Sequence, residues 1–256
     1  MCIRDRYRKL NNNISSAMRS AAELCEKGEE MKISVYGDSV LECVRLGEDG
    51  KYVRSHELVS CFEAEHNVVI ENRSKFGATI ERGFSRLQHD LERGGLGSYT
   101  VLEYGGNDCA YRWAEVAAAP EAEHVCMTPP DRFREIYREM IDLVYKNGSW
   151  PIVSTLPPIS SHRYLDFVSR GGLDKAAILR WLGDLEAISR WQESYSRIAE
   201  ELAKDRGCLI LDLRSAFPAS GDELDACLCS DGIHPDLAGQ QLIYKRASES
   251  IKKLLG

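Results

Sequence analysis

The chain has 256 residues, 43% of them hydrophobic, and its 40 Asp and Glu outweigh 33 Lys and Arg to give a formal net charge of −7. This acidic balance lacks the broad positive field with which proteins gather phosphates, so nucleic acid is not an expected partner. No run approaches the ~18 apolar residues of a membrane-spanning helix, and the first thirty residues lack the apolar core of a signal peptide, so a cytoplasmic protein without a membrane partner is expected. A chain of this length can bury one large core, and α/β folds reach ~250 residues as one domain.

The nine cysteines are scattered without a C-x-x-C pair and are read as reduced thiols. Cys227 and Cys229 stand close together, but no further ligands flank them at metal spacing, so no metal site is expected.

Residues 1–30 are polar and are read as an extension, with a short amphipathic helix over 17–27; the domain is expected to span 31–256. From Met31 onward short apolar runs alternate with segments of helical period. Strands are expected at 32–36 (KISVY), 68–71 (VVIE), 100–104 (TVLEY), 151–155 (PIVST) and 208–213 (CLILDL). Helices are expected at 56–66, 79–93, 131–146, 185–206 and 236–255. In the last of these Leu237, Ile243, Ala247, Ile251 and Leu254 share one stripe, while Lys245, Glu249 and Lys252 face water. The alternation argues for a parallel sheet with helices on both faces, and in such folds ligands bind beyond the carboxyl ends of the strands. The connections at 109–130 and 157–184 are long for a compact domain and are expected to act as lids or pocket walls.

The residues that follow the strands carry the chemistry. After the first strand come Gly37, Asp38 and Ser39: a glycine suited to a tight turn, then a hydroxyl where a helix could begin, in a pattern that also suits a helix cap. After the second, Gly77 precedes a helical segment, where a free backbone N–H is an anion donor. After the third, Gly105, Gly106, Asn107 and Asp108 bring backbone and an amide to the strand end, although these residues also make ordinary turns. Beyond the fifth strand, Asp231 precedes His234 by three positions in a loop containing Gly232, a spacing that lets the carboxylate turn onto the imidazole. Pro235 holds His234 extended, out of the following helix. Asp38 and Asp108 are read chiefly as holding their own loops.

In combination and in order, these motifs resemble the SGNH hydrolases, also called the GDSL esterase and lipase family, and the resemblance runs from Met31 to the C-terminus. The family's four named residues fall at Ser39, Gly77, Asn107 and His234. The resemblance implies a flavodoxin-like three-layer α/β/α sandwich with a five-stranded parallel sheet. It also implies ester hydrolysis without a cofactor: Ser39 as nucleophile, His234 as base, Asp231 as its partner, and an oxyanion hole formed by Ser39, Gly77 and Asn107.

Substrate is less legible. Tyr111, Trp113, Tyr164 and Phe167 lie in the two long connections and can either wall a pocket or anchor the loops, and Asp38 stands beside the nucleophile. Arg112, Glu115, Arg132, Arg163 and Arg170 are of mixed sign and select no class. A small acetyl-type ester of a carbohydrate is the leading expectation; lysophospholipids and acyl thioesters are alternatives, as is a binding protein that kept the fold without the chemistry. A nucleotide-binding flavodoxin-like protein is disfavoured, because Asp38 puts negative charge where phosphate would sit and no G-x-G-x-x-G follows.

Overall fold

The computed structural model describes Ser16 and residues 30–255. The helix expected over 17–27 lies outside the described residues. Strand β1 (Met31–Tyr36) leads into a turn and a small antiparallel hairpin of β2 (Val44–Leu46) and β3 (Tyr52–Arg54). Helix α1 (Glu57–His66), β4 (Val68–Asn72), α2 (Ile80–Arg93) and β5 (Tyr99–Leu102) follow, then α3 (Trp113–Ala118), α4 (Pro130–Lys146) and β6 (Trp150–Ser154). The chain continues through α5 (Ser161–Ser169), α6 (Lys175–Leu182), α7 (Ala187–Arg206) and β7 (Leu209–Leu211). It closes with a 3-10 turn, α8 (Gly221–Asp225) and α9 (Leu237–Leu255).

Five strands form one parallel sheet in the order β4-β1-β5-β6-β7. All five expected strands are present, within two residues of their expected limits. Central strands in such a sheet are covered on both faces, and accordingly every residue of β1 except Lys32, and all of β5, is buried. One face carries α2, α4 and α7, whose Leu87, Phe133, Met140, Ile141, Tyr195 and Leu202 pack with Leu102 and Val153. The opposite face carries α1 and α9, with Phe62, Ile251 and Leu254 against Ile33, Val35 and Val101. In α4 the buried residues recur three or four apart, from Phe133 to Val144, and Pro130 opens the helix where its missing N–H costs nothing.

Three expectations change. No helix begins at Ser39: residues 38–43 make a single turn, with Glu42 N–H donating to Asp38 O and Val44 N–H to Ser39 O, and the chain then enters the β2–β3 hairpin. Leu237 does not join the stripe of α9 but is 51% exposed, because the helix has only begun there and its apolar face reaches the sheet from Ile243 onward. The long connections are not bare loops, since α3 lies in one and α5 and α6 in the other. They pack on each other through Val116, Leu165 and Ile178. Phe167, for which wall and anchor were both open, is not among the residues lining the cavity described below, and the Arg170 guanidinium lies 5.1 Å from its ring centroid.

β4 and β5 lie on opposite sides of β1. The chain therefore reverses its direction of travel across the sheet between β1 and β5, and the loops leaving these two strands diverge to open a crevice.

Candidate active site

Ser39 follows β1, Gly77 follows β4, Asn107 follows β5, and the Asp231–His234 loop follows β7 and α8, so all four approach the carboxyl edge of the sheet. Ser39 Oγ lies 2.9 Å from His234 Nε2, and His234 Nδ1 lies 2.7 Å from Asp231 Oδ2. Ionised Asp231 can only accept, so Nδ1 carries the hydrogen and Nε2 accepts from the serine hydroxyl. The acid is fixed in turn: Asp231 Oδ1 accepts the N–H groups of Ile233 (3.1 Å) and His234 (3.0 Å). The loop is clasped from outside where Ser160 N–H donates to Gly232 O and Arg163 donates to the carbonyls of Asp225 and Leu228. Asp231 is fully buried and His234 nearly so. Burial opposes ionisation of Asp231, but the hydrogen bonds from His234 and the two backbone N–H groups outweigh it and hold the carboxyl below its usual range.

Opposite this chain lie three donors. The backbone N–H groups of Ser39 and Gly77 find no acceptor among the described residues. Gly77 has φ +68°, the left-handed region that glycine enters without strain. The Asn107 amide donates from Nδ2 to Asp38 Oδ2 (2.9 Å) and to Ala78 O (3.2 Å).

The family model of the GDSL-like lipases and acylhydrolases matches residues 35–242. The chain belongs to this family. It is thus an ester hydrolase by family, and its fold agrees with solved structures of low sequence identity. The lipase/acylhydrolase of Enterococcus faecalis superposes with a TM-score of 0.57 at 21% identity, over 87% of this chain and 95% of that one. An α/β hydrolase from the metagenome of Lake Arreo, Spain, gives 0.59 at 21% identity over 88% and 96%. An acetyl xylan esterase of Geobacillus stearothermophilus gives 0.59 at 16% identity over 86% and 94%. A search of curated protein sequences returns no significant match.

In this GDSL-family protein the site opens into a cavity of about 350 Å³. Asp38, Tyr111, Trp113 and Tyr164 all line it, as the sequence suggested, but Asp38 is 2% exposed and its oxygens are taken by Val40 N–H (2.9 Å) and the Asn107 amide. Trp113 Nε1–H donates to Tyr164 Oη (3.0 Å), tying the two long connections together behind the cavity.

Several lining residues gave no sequence signal. Trp181 and Trp191 come from the helices of the second long connection and from α7, and Tyr52 and Phe76 arrive from the hairpin and the turn before Gly77. Tyr52 Oη donates to Asp231 Oδ2 at 3.4 Å, and burial beside this acid pushes the phenol up to about 12. Glu42 is buried and accepts Phe76 N–H at 2.5 Å and Arg54 Nε–H at 3.0 Å, which joins the serine turn to the Gly77 turn. Tyr52, Trp181 and Trp191 do not follow a strand of the main sheet, so the topological rule did not point to them, whereas Phe76 and Glu42 stand in the same post-strand turns as Gly77 and Ser39 and were passed over there.

No group of three or more His, Cys, Asp or Glu side chains suited to a metal occurs among the described residues. No helix among them is long and apolar enough to cross a membrane.

Proposed function

We propose that this protein is a serine esterase that cleaves small carboxylic esters through an acyl-enzyme, with a small acyl group such as acetyl on a carbohydrate or similar alcohol. The unbroken hydrogen-bonded chain from Ser39 Oγ through His234 to Asp231, at the mouth of the cavity, carries this reading. Ser39 Oγ attacks the ester carbonyl carbon as His234 Nε2 takes its proton. The imidazolium that forms is stabilised by Asp231, and the carbonyl oxygen becomes an oxyanion facing the N–H groups of Ser39 and Gly77 and the Asn107 amide. Collapse expels the alcohol, which receives its proton from His234. Water, deprotonated by His234, then attacks the acyl carbon and releases the carboxylic acid and free Ser39.

Two further observations support the reading. Serine, aspartate and histidine variants of the Geobacillus acetylxylan esterase are described as catalytic mutants, and there too the aspartate stands three positions before the histidine. A cavity of about 350 Å³ lies at the small end of ligand sites, which favours a short acyl group over a long chain. Its aromatic walls suit the face of a sugar ring as well as a methyl group.

The test is hydrolysis of p-nitrophenyl esters of increasing acyl length by wild type and Ser39→Ala. Loss of turnover in the variant, with acetate preferred over longer esters in wild type, is the expected result. Equal rates for the two proteins would refute the assignment of Ser39, and a preference for long acyl chains would redirect the proposal to lipid or thioester substrates.

A further inference from the structure

Glu103 interrupts an apolar run, Thr100 to Tyr104, at the end of β5, and the scheme above leaves it without a task. It is fully buried. Its Oε2 accepts Asp38 N–H at 3.3 Å, while Oε1 finds no partner. The Glu103 and Asp38 side chains lie within hydrogen-bond reach of each other. Space for this contact comes from Gly37: a Cβ there would stand 2.9 Å from Glu103 Oε2.

Two fully buried carboxyls in contact oppose each other's ionisation, so one of them is favoured to keep its proton. The partners decide which keeps the proton. Asp38 receives Val40 N–H and the Asn107 amide, each at 2.9 Å, and it also feels the His234 ring. Glu103 accepts one longer bond and its Oε1 has no hydrogen-bond partner among the described residues, so it is the poorer host for a charge. The other titratable groups that interact with the pair include Asp108 and Tyr104 beyond β5, Tyr137 on α4 and the buried Cys109 thiol.

We infer that Glu103 is a positioning residue: as a neutral acid it donates a hydrogen bond to the Asp38 carboxylate, and Asp38, held in this way, fixes the Asn107 amide where the oxyanion forms. The inference rests on the serine-esterase reading for its kinetic consequence but not for the protonation of Glu103. Burial and the Asp38 charge both hold the Glu103 carboxyl well above the usual range, in agreement with the geometry. Loss of that proton would put a second charge under the serine turn and release Asp38.

The first test is independent of activity. Infrared difference spectra of protein labelled with 13C at its glutamate carboxyls should show a protonated carboxyl band at pH 7 that is absent in Glu103→Gln. The label separates Glu103 from Asp38 and Asp108, and absence of the band in wild type overturns the inference. The second test is kinetic. Glu103→Gln keeps a neutral donor, so kcat at pH 7 should stay within about threefold of wild type. Glu103→Ala should lose kcat by about 10- to 100-fold with KM changed little, because the oxyanion contact acts only in the transition state. Equal losses in the Gln and Ala variants would overturn it. Should Ser39→Ala retain full activity, the esterase assignment falls and the infrared band alone decides the state of Glu103. Should Glu103→Ala not fold, the band and the near-wild-type kcat of Glu103→Gln remain decisive.

Discussion

Phe76 lies parallel to the His234 imidazole, with ring centroids 5.7 Å apart and planes 7° from parallel, while Tyr52 meets the same ring edge-on at 5.1 Å. The two aromatics also touch each other at 4.8 Å. Together they limit the water that reaches the His234–Asp231 contact and confine the imidazole to the plane in which Nε2 faces Ser39. Phe76 is 42% exposed, so it contributes little to the core. Phe76→Ala should therefore leave the melting temperature nearly unchanged while lowering kcat/KM by about 3- to 30-fold, in line with the sensitivity of catalysis to small misplacements of a reacting group. Circular dichroism melting and esterase kinetics on the same preparation check both halves. A large fall in melting temperature would mean that Phe76 is structural instead.

Asp231 and Asp108 should leave opposite marks on stability as pH changes. The native partners of Asp231 hold its carboxyl below the unfolded value of ~3.9, so its contribution is complete above that pH and is lost as pH falls through the native value. The stability gap between wild type and Asp231→Asn should accordingly be widest near neutrality and close below about pH 4. Asp108 is buried at the start of α2, where its Oδ1 accepts Ile80 N–H at 3.0 Å, and burial pushes it up to about 7. Its native state keeps a proton that the unfolded chain releases, so wild type loses stability as pH rises from about 4 to 7. Asp108→Asn keeps the acceptor and cannot ionise. Its stability relative to wild type should rise across that window by about 1.4 kcal/mol per pH unit, to roughly 4 kcal/mol. Urea denaturation at several pH values gives both slopes, and parallel curves for all three proteins would refute the two assignments.

The legible part of this molecule is the part governed by periodicity and by strand ends. β1, β4, β5, β6 and β7 announced themselves as short apolar runs, and once they were placed in a parallel sheet, Ser39, Gly77, Asn107 and His234 had to converge on one edge. The hairpin did not announce itself. β2 and β3 are three residues each, are mostly half-exposed and carry charged residues, so neither alternation nor an apolar run marks them. The helices of the long connections were hidden for a related reason: α3, α5 and α6 pack on one another around Val116, Leu165 and Ile178, and such short segments lack a long stripe. Two of the residues missed at the site come from these pieces. Tyr52 sits on β3, and Trp181 sits on α6.

On the proposed esterase mechanism, the Asn107 amide tests how the three donors would divide the oxyanion. Its nitrogen donates to Asp38 Oδ2 and Ala78 O in the free protein, so binding the oxyanion means turning one hydrogen away from Ala78 O, the longer of the two contacts. This interaction is absent in the ground state. Asn107→Ala should lower kcat by about 10²- to 10³-fold and leave KM nearly unaltered. Asn107→Asp should be at least as damaging, since it sets a third acidic group beside Asp38. A rise in KM at unchanged kcat would instead make Asn107 a ground-state binding residue.

Chain-length preference should be controlled by Trp181. Its ring meets Tyr111 edge-on at 4.8 Å and Trp113 at 6.5 Å, forming part of the aromatic wall around the cavity. Removal of the indole extends the cavity without touching Ser39, His234 or Asp231. Burial of a large aromatic is worth several kcal/mol, and Trp181→Ala should cost about 3 kcal/mol or more of stability, whereas Trp181→Leu keeps part of the packing. In either variant the ratio of kcat/KM for butyrate to that for acetate should rise by about 10-fold, the order expected for one or two methylenes newly accommodated in an apolar pocket. The ratio cancels any loss of folded protein, so it separates pocket size from stability. An unchanged ratio in both variants would place the acyl group elsewhere and leave the Trp181 wall to the alcohol.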